Sequence, residues 1–196
     1  MAAGPSGPAG PSRPAGASGG RLLWVLRHAA AVPDPPPGAR DRDRPLAPSG
    51  RRNAEALGRR LATDRLGLGP DELPSVVLCS TARRTVQTAE GVLAGITSTL
   101  DLRHHLYQAS PEEVLGEVQT VDDAERSVMV VGHNPTVHRL ALDLIATDDE
   151  AGRQALVGRT FPTCGLAVYR VTTPRWRDVA PGSGTVATVV APPYGE

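Results

Sequence analysis

Three short apolar runs in this chain end on groups that such runs seldom carry. LLWVL (22–26) is followed by Arg27 and His28, SVVLC (75–79) by Ser80 and then Arg83 and Arg84, and SVMVV (127–131) by Gly132, His133 and Asn134. Singly, each is weak evidence, because a strand-end histidine is more often a hydrogen-bonded structural residue and an arginine in a first helical turn usually faces water. Together they are more informative. Two imidazoles and two guanidiniums on one edge would bury positive charge at high cost unless an anion joined them. Guanidinium holds a phosphoryl group through paired hydrogen bonds, and the N–H groups of a helix N-terminus add donors. Neutral imidazole is a nucleophile near pH 7 and can carry a phosphoryl group covalently. The chemistry these residue types fit is phosphoryl transfer by positioning and charge, with no metal and no cofactor expected.

For the three run ends to meet, the runs must lie side by side and parallel. Helical patterns fall between them: Ala54, Leu57 and Leu61 share a helical face, as do Val86, Ala89, Leu93 and Ile96. Ser110-Pro111-Glu112-Glu113 predicts a helix start, with Ser110 as N-cap, Pro111 in the first turn and Glu113 closing a capping box ahead of Val114, Leu115 and Val118. Val137, Leu140, Ala141, Leu144 and Ile145 form the clearest stripe, TLDL (99–102) is strand-like, and CGLAVYRV (164–171) and GTVATVVA (184–191) read as closing strands. Strands alternating with helices predict an α/β fold, a three-layer α/β/α arrangement with a mostly parallel central sheet and an antiparallel edge. Ligands of open sheets bind beyond the carboxyl ends of the strands, where the cationic residues stand.

Composition narrows the classes of function. Lys+Arg and Asp+Glu both number 21 among 196 residues, so no net field favours a polyanion, and no nucleic acid is expected as a partner. Every one of those basic residues is arginine, which excludes a lysine nucleophile, a Schiff base and a Walker-type phosphate loop. Cys79 and Cys164 have neither metal-ligand nor disulfide spacing, in keeping with a reducing compartment. Residues 1–20 are almost wholly Ala, Gly, Pro and Ser and are expected to form a disordered leader, with one domain over 21–196. No segment reads as a signal peptide or a membrane span, so a cytoplasmic protein without a membrane partner is expected.

Five segments, in order, resemble the histidine phosphatase superfamily, the phosphoglycerate mutase-like fold. Arg27-His28-Ala29 is similar to its RHG signature, and RPLAPSG (44–50) to its RPLT-x-x-G. STARRTVQTAE (80–90) is similar to S-P-x-x-R-A-x-Q-T, GHNP (132–135) to GH-x-P, and FPTCGLAVY (161–169) to the closing strand of the small SixA-type phosphohistidine phosphatases. The likeness spans about residues 21–192. It implies that His28 becomes phosphohistidine beside Arg27, that Arg84 and not Arg83 is the second arginine, and that His133 contacts the phosphoryl group. Ser80, Asn134 and Arg44 are implied as substrate-binding neighbours. Ala29 stands in place of the usual glycine and Thr81 in place of the usual proline.

Many members of the superfamily protonate a departing alkoxide with a carboxylic acid placed between the second arginine and the second histidine. Tyr107 and Gln108 stand about where it would be, leaving Glu112 as a possible acid and Glu113 with a capping role. A phosphohistidine imidazole leaves from a labile P–N bond with less help, so a weak acid position suits a phosphorylated protein better than a small phosphate ester. The interval of fewer than fifty residues between Arg84 and His133 leaves little chain for a lid. The expected activity is removal of phosphate from protein phosphohistidine through phospho-His28. Alternatives are a small-metabolite phosphomonoesterase, a phosphate-binding module without turnover, and a serine hydrolase built on Ser80 and His133, which lacks the G-x-S-x-G elbow. A metal hydrolase using His104, His105 and His133 is disfavoured, because adjacent histidines on a strand point apart. Of His104 and His105, one is expected at the surface and one packed, and His138 is expected to be solvated or structural. Arg40, Arg42, Arg44, Arg51 and Arg52 either rim a pocket for an acidic or phosphorylated partner or pair with Asp41 and Asp43.

Overall fold

Each Val- and Leu-rich run is a strand of one six-stranded sheet in the computed structural model, which describes residues 20–158 and 160–194. The leader, apart from Gly20, lies outside the described residues. In chain order the strands are β1 (Arg21–Arg27), β2 (Val76–Ser80), β3 (Thr99–Arg103), β4 (Ser127–Gly132), β5 (Leu166–Val171) and β6 (Gly184–Val190). They lie in the order β3-β2-β4-β1-β5-β6. Strands β1 to β4 pair in parallel, and β5 runs antiparallel to both β1 and β6, giving the α/β/α fold with its antiparallel edge.

Register is what aligns the run ends. Arg27 faces Gly132 across β1 and β4, while Cys79 faces Val131 across β2 and β4. Arg27, Ser80 and Gly132 therefore finish at one level, and the residues after them emerge on one edge. Residues that alternate along the strands feed two cores. Leu22, Trp24, Leu26, Val77, Cys79, Met129 and Val131 pack beneath α1 (Pro48–Thr63) and α2 (Arg83–Leu93). Leu23, Val25, Leu78, Val128 and Val130 pack against α3 (Pro111–Gln119), α4 (Thr136–Leu144) and α5 (Glu150–Leu156). A sheet covered on both faces is why these strands read as unbroken apolar runs.

Helices α1 and α2 meet through glycine. A Cβ on Gly58 would lie 2.6 Å from the Gly91 carbonyl oxygen, so α1 approaches the backbone of α2 more closely than a side chain permits. That contact packs α1 closely against α2, the helix that carries Arg84. The Ser110 capping box is present as expected, with the hydroxyl accepting from Glu113 N and the Glu113 carboxylate from Ser110 N. Other details differ from the sequence reading. Helix α2 ends at Leu93, so Ile96 lies beyond it, and the buried face runs through Thr85, Thr88, Ala89 and Val92. Residues His104–Tyr107 form a single 3-10 turn, in which both His104 and His105 are exposed. The chain turns immediately after β3, and so the strand alternation expected to bury one of the two rings never applies.

Candidate active site

The peptide around His28 is held from three sides. His28 N donates to Gly132 O at the end of β4, His28 O accepts from Cys164 N, and Ala29 N donates to Thr88 Oγ1 on α2. The Ala29 methyl, in the place of the family's glycine, is fully buried in the core beneath α1 and α2. His28 Nδ1 lies 2.8 Å from the Ala29 carbonyl oxygen. A carbonyl can only accept, so in the neutral ring Nδ1 carries the proton and Nε2 carries the free lone pair. Burial, aided by the charges of Arg84, Arg27 and Arg44, brings the His28 pKa down to about 4 even though the Ala29 contact opposes the shift. The ring is neutral at physiological pH, with its nucleophilic nitrogen unblocked.

His133 follows β4, and its ring centroid lies 5.2 Å from that of His28. Its Nε2 is 2.9 Å from Ser80 Oγ. Burial and the neighbouring His28 and Arg84 bring its pKa down to about 3. In a serine triad the second imidazole nitrogen would be oriented by a carboxylate. His133 Nδ1 is instead buried without a protein partner, and Ser80 is wholly buried, so the Ser80–His133 contact does not form a serine nucleophile.

Arg27 and Arg84 approach from opposite elements. Arg27 Nη1 donates to Phe161 O at 2.7 Å, and Asn134 Nδ2 donates to the same oxygen at 3.0 Å. Arg84, in the first turn of α2, is 5% exposed, whereas Arg83 is exposed. A single residue step, about 100° around the helix, separates facing solvent from facing the site. Arg27 Nε, Arg84 Nε, His133 Nδ1 and Asn134 Oδ1 are all buried without a protein partner. Each such group costs about 1–3 kcal/mol. The two guanidinium Nε–H groups among them can only donate, and so suit a ligand that offers hydrogen-bond acceptors.

The structure adds two residues to this group that the sequence reading left aside. Arg84 donates to Asp41 O at 2.9 Å and to Asp41 Oδ2 at 3.1 Å. Asp41 Oδ2 also accepts from Tyr107 Oη at 2.6 Å, and Asp41 Oδ1 accepts from Arg44 Nε at 2.7 Å. The Tyr107 hydroxyl, then Arg44 and Arg84, hold the Asp41 carboxyl down at about 2. The Arg84 guanidinium also sits over the Tyr107 ring, whose edge meets His133. Arg44 thus reaches the site through Asp41. Glu112 is placed elsewhere: it is fully exposed on the first turn of α3, where it interacts with Ser110 and with Arg139 of α4. The structure does not bring it to the histidines. His138 stacks on Phe161 at 5.8 Å and takes no part in the cluster.

The pKa directions yield a check. In an NMR titration of the ligand-free chain, both rings are expected to stay neutral through the ordinary histidine range and to protonate only near 4 for His28 and near 3 for His133. Unfolding frees them to bind protons from about pH 6.5, so the unfolded chain binds more protons and stability falls as the pH drops below that value. A midpoint of about 6.5 for either folded ring would contradict the burial argument.

The likeness to known proteins follows the same residues. A family model described as the histidine phosphatase superfamily (branch 1) matches residues 23–109. The protein Rv1276c of Mycobacterium tuberculosis is 40% identical over 161 residues, covering 80% of this chain and 93% of its own length. A structure described as a candidate phosphohistidine phosphatase SixA from Nakamurella multipartitia superposes with a TM-score of 0.75 at 34% identity, covering 90% of this chain and 98% of its own. A second such SixA, from Agrobacterium tumefaciens, gives 0.69 at 31% identity, covering 88% and 98%. No helix among the described residues is long and apolar enough to cross a membrane. With the paired histidines and arginines at the strand ends and these relatives spanning nearly the whole sheet, the chain belongs to the histidine phosphatase superfamily.

Proposed function

We propose that the protein is a phosphatase that works without a metal through a phosphate carried on His28 Nε2, and that its substrate is phosphohistidine on another protein. The observation that carries the catalytic part is the free Nε2 of a neutral His28 set among buried, unpartnered Arg27 Nε, Arg84 Nε and His133 Nδ1. A phosphoryl group seated there offers oxygens to both guanidiniums, whose fixed charge neutralises it with no metal. Nε2 attacks phosphorus, the substrate's P–N or P–O bond breaks with its electron pair on the departing atom, and the phosphate is left on His28. Nδ1–H, donating to Ala29 O, stabilises the positive charge the ring then carries. Water attacks phosphorus in the second step, the electron pair returns to Nε2, and inorganic phosphate leaves.

The substrate reading rests on what surrounds that centre. An alkoxide leaving group needs a proton, and Glu112 lies away from the cluster while Asp41 is held ionised. An imidazole leaves without that help. Asp41 and Tyr107, which touch Arg84 and His133, also line a groove of about 350 Å³ with Arg40, Arg42, His104 and Gln108, and a residue presented by another protein could enter there. The two SixA-like neighbours at 34% and 31% identity point the same way. Cys79 and Cys164 are both free, which suits the cytoplasm. The test is release of phosphate from a histidine-phosphorylated protein and from a phosphate monoester, both with chelator present. Faster, chelator-resistant turnover of phosphohistidine is expected. Preference for the monoester would keep the catalytic part and reject the substrate, and phosphate binding without turnover would reject the enzyme.

A further inference from the structure

The two-step reaction leaves Asp41 without a task, although this carboxylate is bonded to Arg84, Arg44 and Tyr107 at once. Asp41 stands in the 3-10 turn Asp41–Asp43, and its side chain is 53% exposed. It and Tyr107 belong both to the cluster around Arg84 and to the groove at the mouth. An in-line displacement sends the leaving group away from the face attacked by His28 Nε2, and a residue carried on another protein has to come in through an open groove. Asp41 stands where such a groove meets Arg84.

Resting on the phosphohistidine reading above, we propose that Asp41 receives the imidazole of the substrate, accepting a hydrogen bond from its distal N–H and holding the ring in its protonated, readily departing form. A phosphorylated imidazole has phosphorus on one nitrogen and a lone pair on the other. Its distal nitrogen can donate only when it has bound a proton, and an ionised carboxylate favours that state. With the proton already in place, the P–N bond breaks, the electron pair stays on the substrate nitrogen, and the ring departs as neutral imidazole. No proton has to reach the breaking bond. Asp41 does for the substrate ring what the Ala29 carbonyl does for His28, whose Nδ1–H is held while Nε2 gains and loses phosphorus. The same carboxylate opposes an ester, because the oxygen of an ester leaves with growing negative charge and Asp41, at about 2, has no proton to give it. Arg44, Arg84 and Tyr107 keep Asp41 ionised and so set the selectivity for a cationic leaving group over an anionic one.

The test measures kcat/KM for a phosphohistidine peptide and for p-nitrophenyl phosphate on the same preparations of the native chain, Asp41→Asn and Asp43→Asn. The ratio of the two values cancels any difference in the fraction of folded enzyme. Asp41→Asn is expected to lower the peptide-to-ester ratio by at least about ten-fold, the worth of one hydrogen bond to a charged group. Asp43, whose carboxylate among the described residues accepts from Arg40 N alone, is the control, and its replacement is expected to leave the ratio as it was. Equal losses on both substrates in Asp41→Asn would mean that Asp41 merely steadies Arg84, overturning this inference while the substrate reading stands. A native chain that fails to cleave the peptide would overturn the substrate reading, and this inference with it.

Discussion

His28→Ala is expected to lower turnover by about four to six orders of magnitude, the scale on which removal of a covalent nucleophile acts. Nothing else in the cluster can replace it. His133, the other imidazole, is engaged through Nε2 with Ser80 Oγ and has its Nδ1 buried. Ser80 is wholly buried, and Cys79 and Cys164 are buried thiols pushed up to about 12, leaving almost no thiolate at neutral pH. The peptide at position 28 is fixed by backbone bonds to Gly132 and Cys164, which alanine keeps, so the fold should survive. Circular dichroism with orthophosphate binding checks that it does. Turnover within ten-fold of native, in a folded His28→Ala chain, would mean that water attacks the substrate directly and that His28 is only a contact.

Arg84→Ala is expected to lower kcat by about 10²–10³, as loss of one charged donor from a site that stabilises developing negative charge does. The loss should be larger than the equilibrium weakening of phosphate binding, because Arg84 meets most charge in the transition state. Arg84→Lys is expected to recover little. The native side chain reaches Asp41 with Nη1 and Nη2 while Nε remains free to bind a ligand, a division of labour that a single ammonium cannot reproduce. Steady-state kinetics beside a phosphate titration distinguish the two effects. If KM alone rose and kcat held, Arg84 would be a binding residue with no part in the chemical step.

The parts of this arrangement that could be seen in the sequence are those written in local pattern. β1, β2 and β4 announce themselves because both faces are buried, so each is an unbroken apolar run that stops where the chemistry begins. The start of α3 is legible because Ser110, Pro111 and Glu113 stand at fixed offsets set by the geometry of a helix end. Helix α5 leaves no such pattern: it has only seven residues, EAGRQAL, and buries only Gly152 and Leu156. In the sequence Asp41 reads only as a partner for nearby arginines, since its bond to Arg84 joins residues 43 apart and depends on a short turn that no periodicity signals. Glu112 reads as a candidate acid only by elimination, because it falls between Arg84 and His133 and the expected position is taken by Tyr107 and Gln108. The helix that begins at Pro111 points that side chain towards Arg139 and solvent.

The most direct test of the central claim is to trap the enzyme during turnover of a phosphohistidine protein and locate the phosphate. The reaction is quenched in alkali, where a phosphoramidate survives, and the digest is read by mass spectrometry. Phosphate on His28, lost on mild acid treatment and missing from the His28→Ala chain, is the result expected. Continued turnover with phosphate on another residue, or on none, would contradict the account.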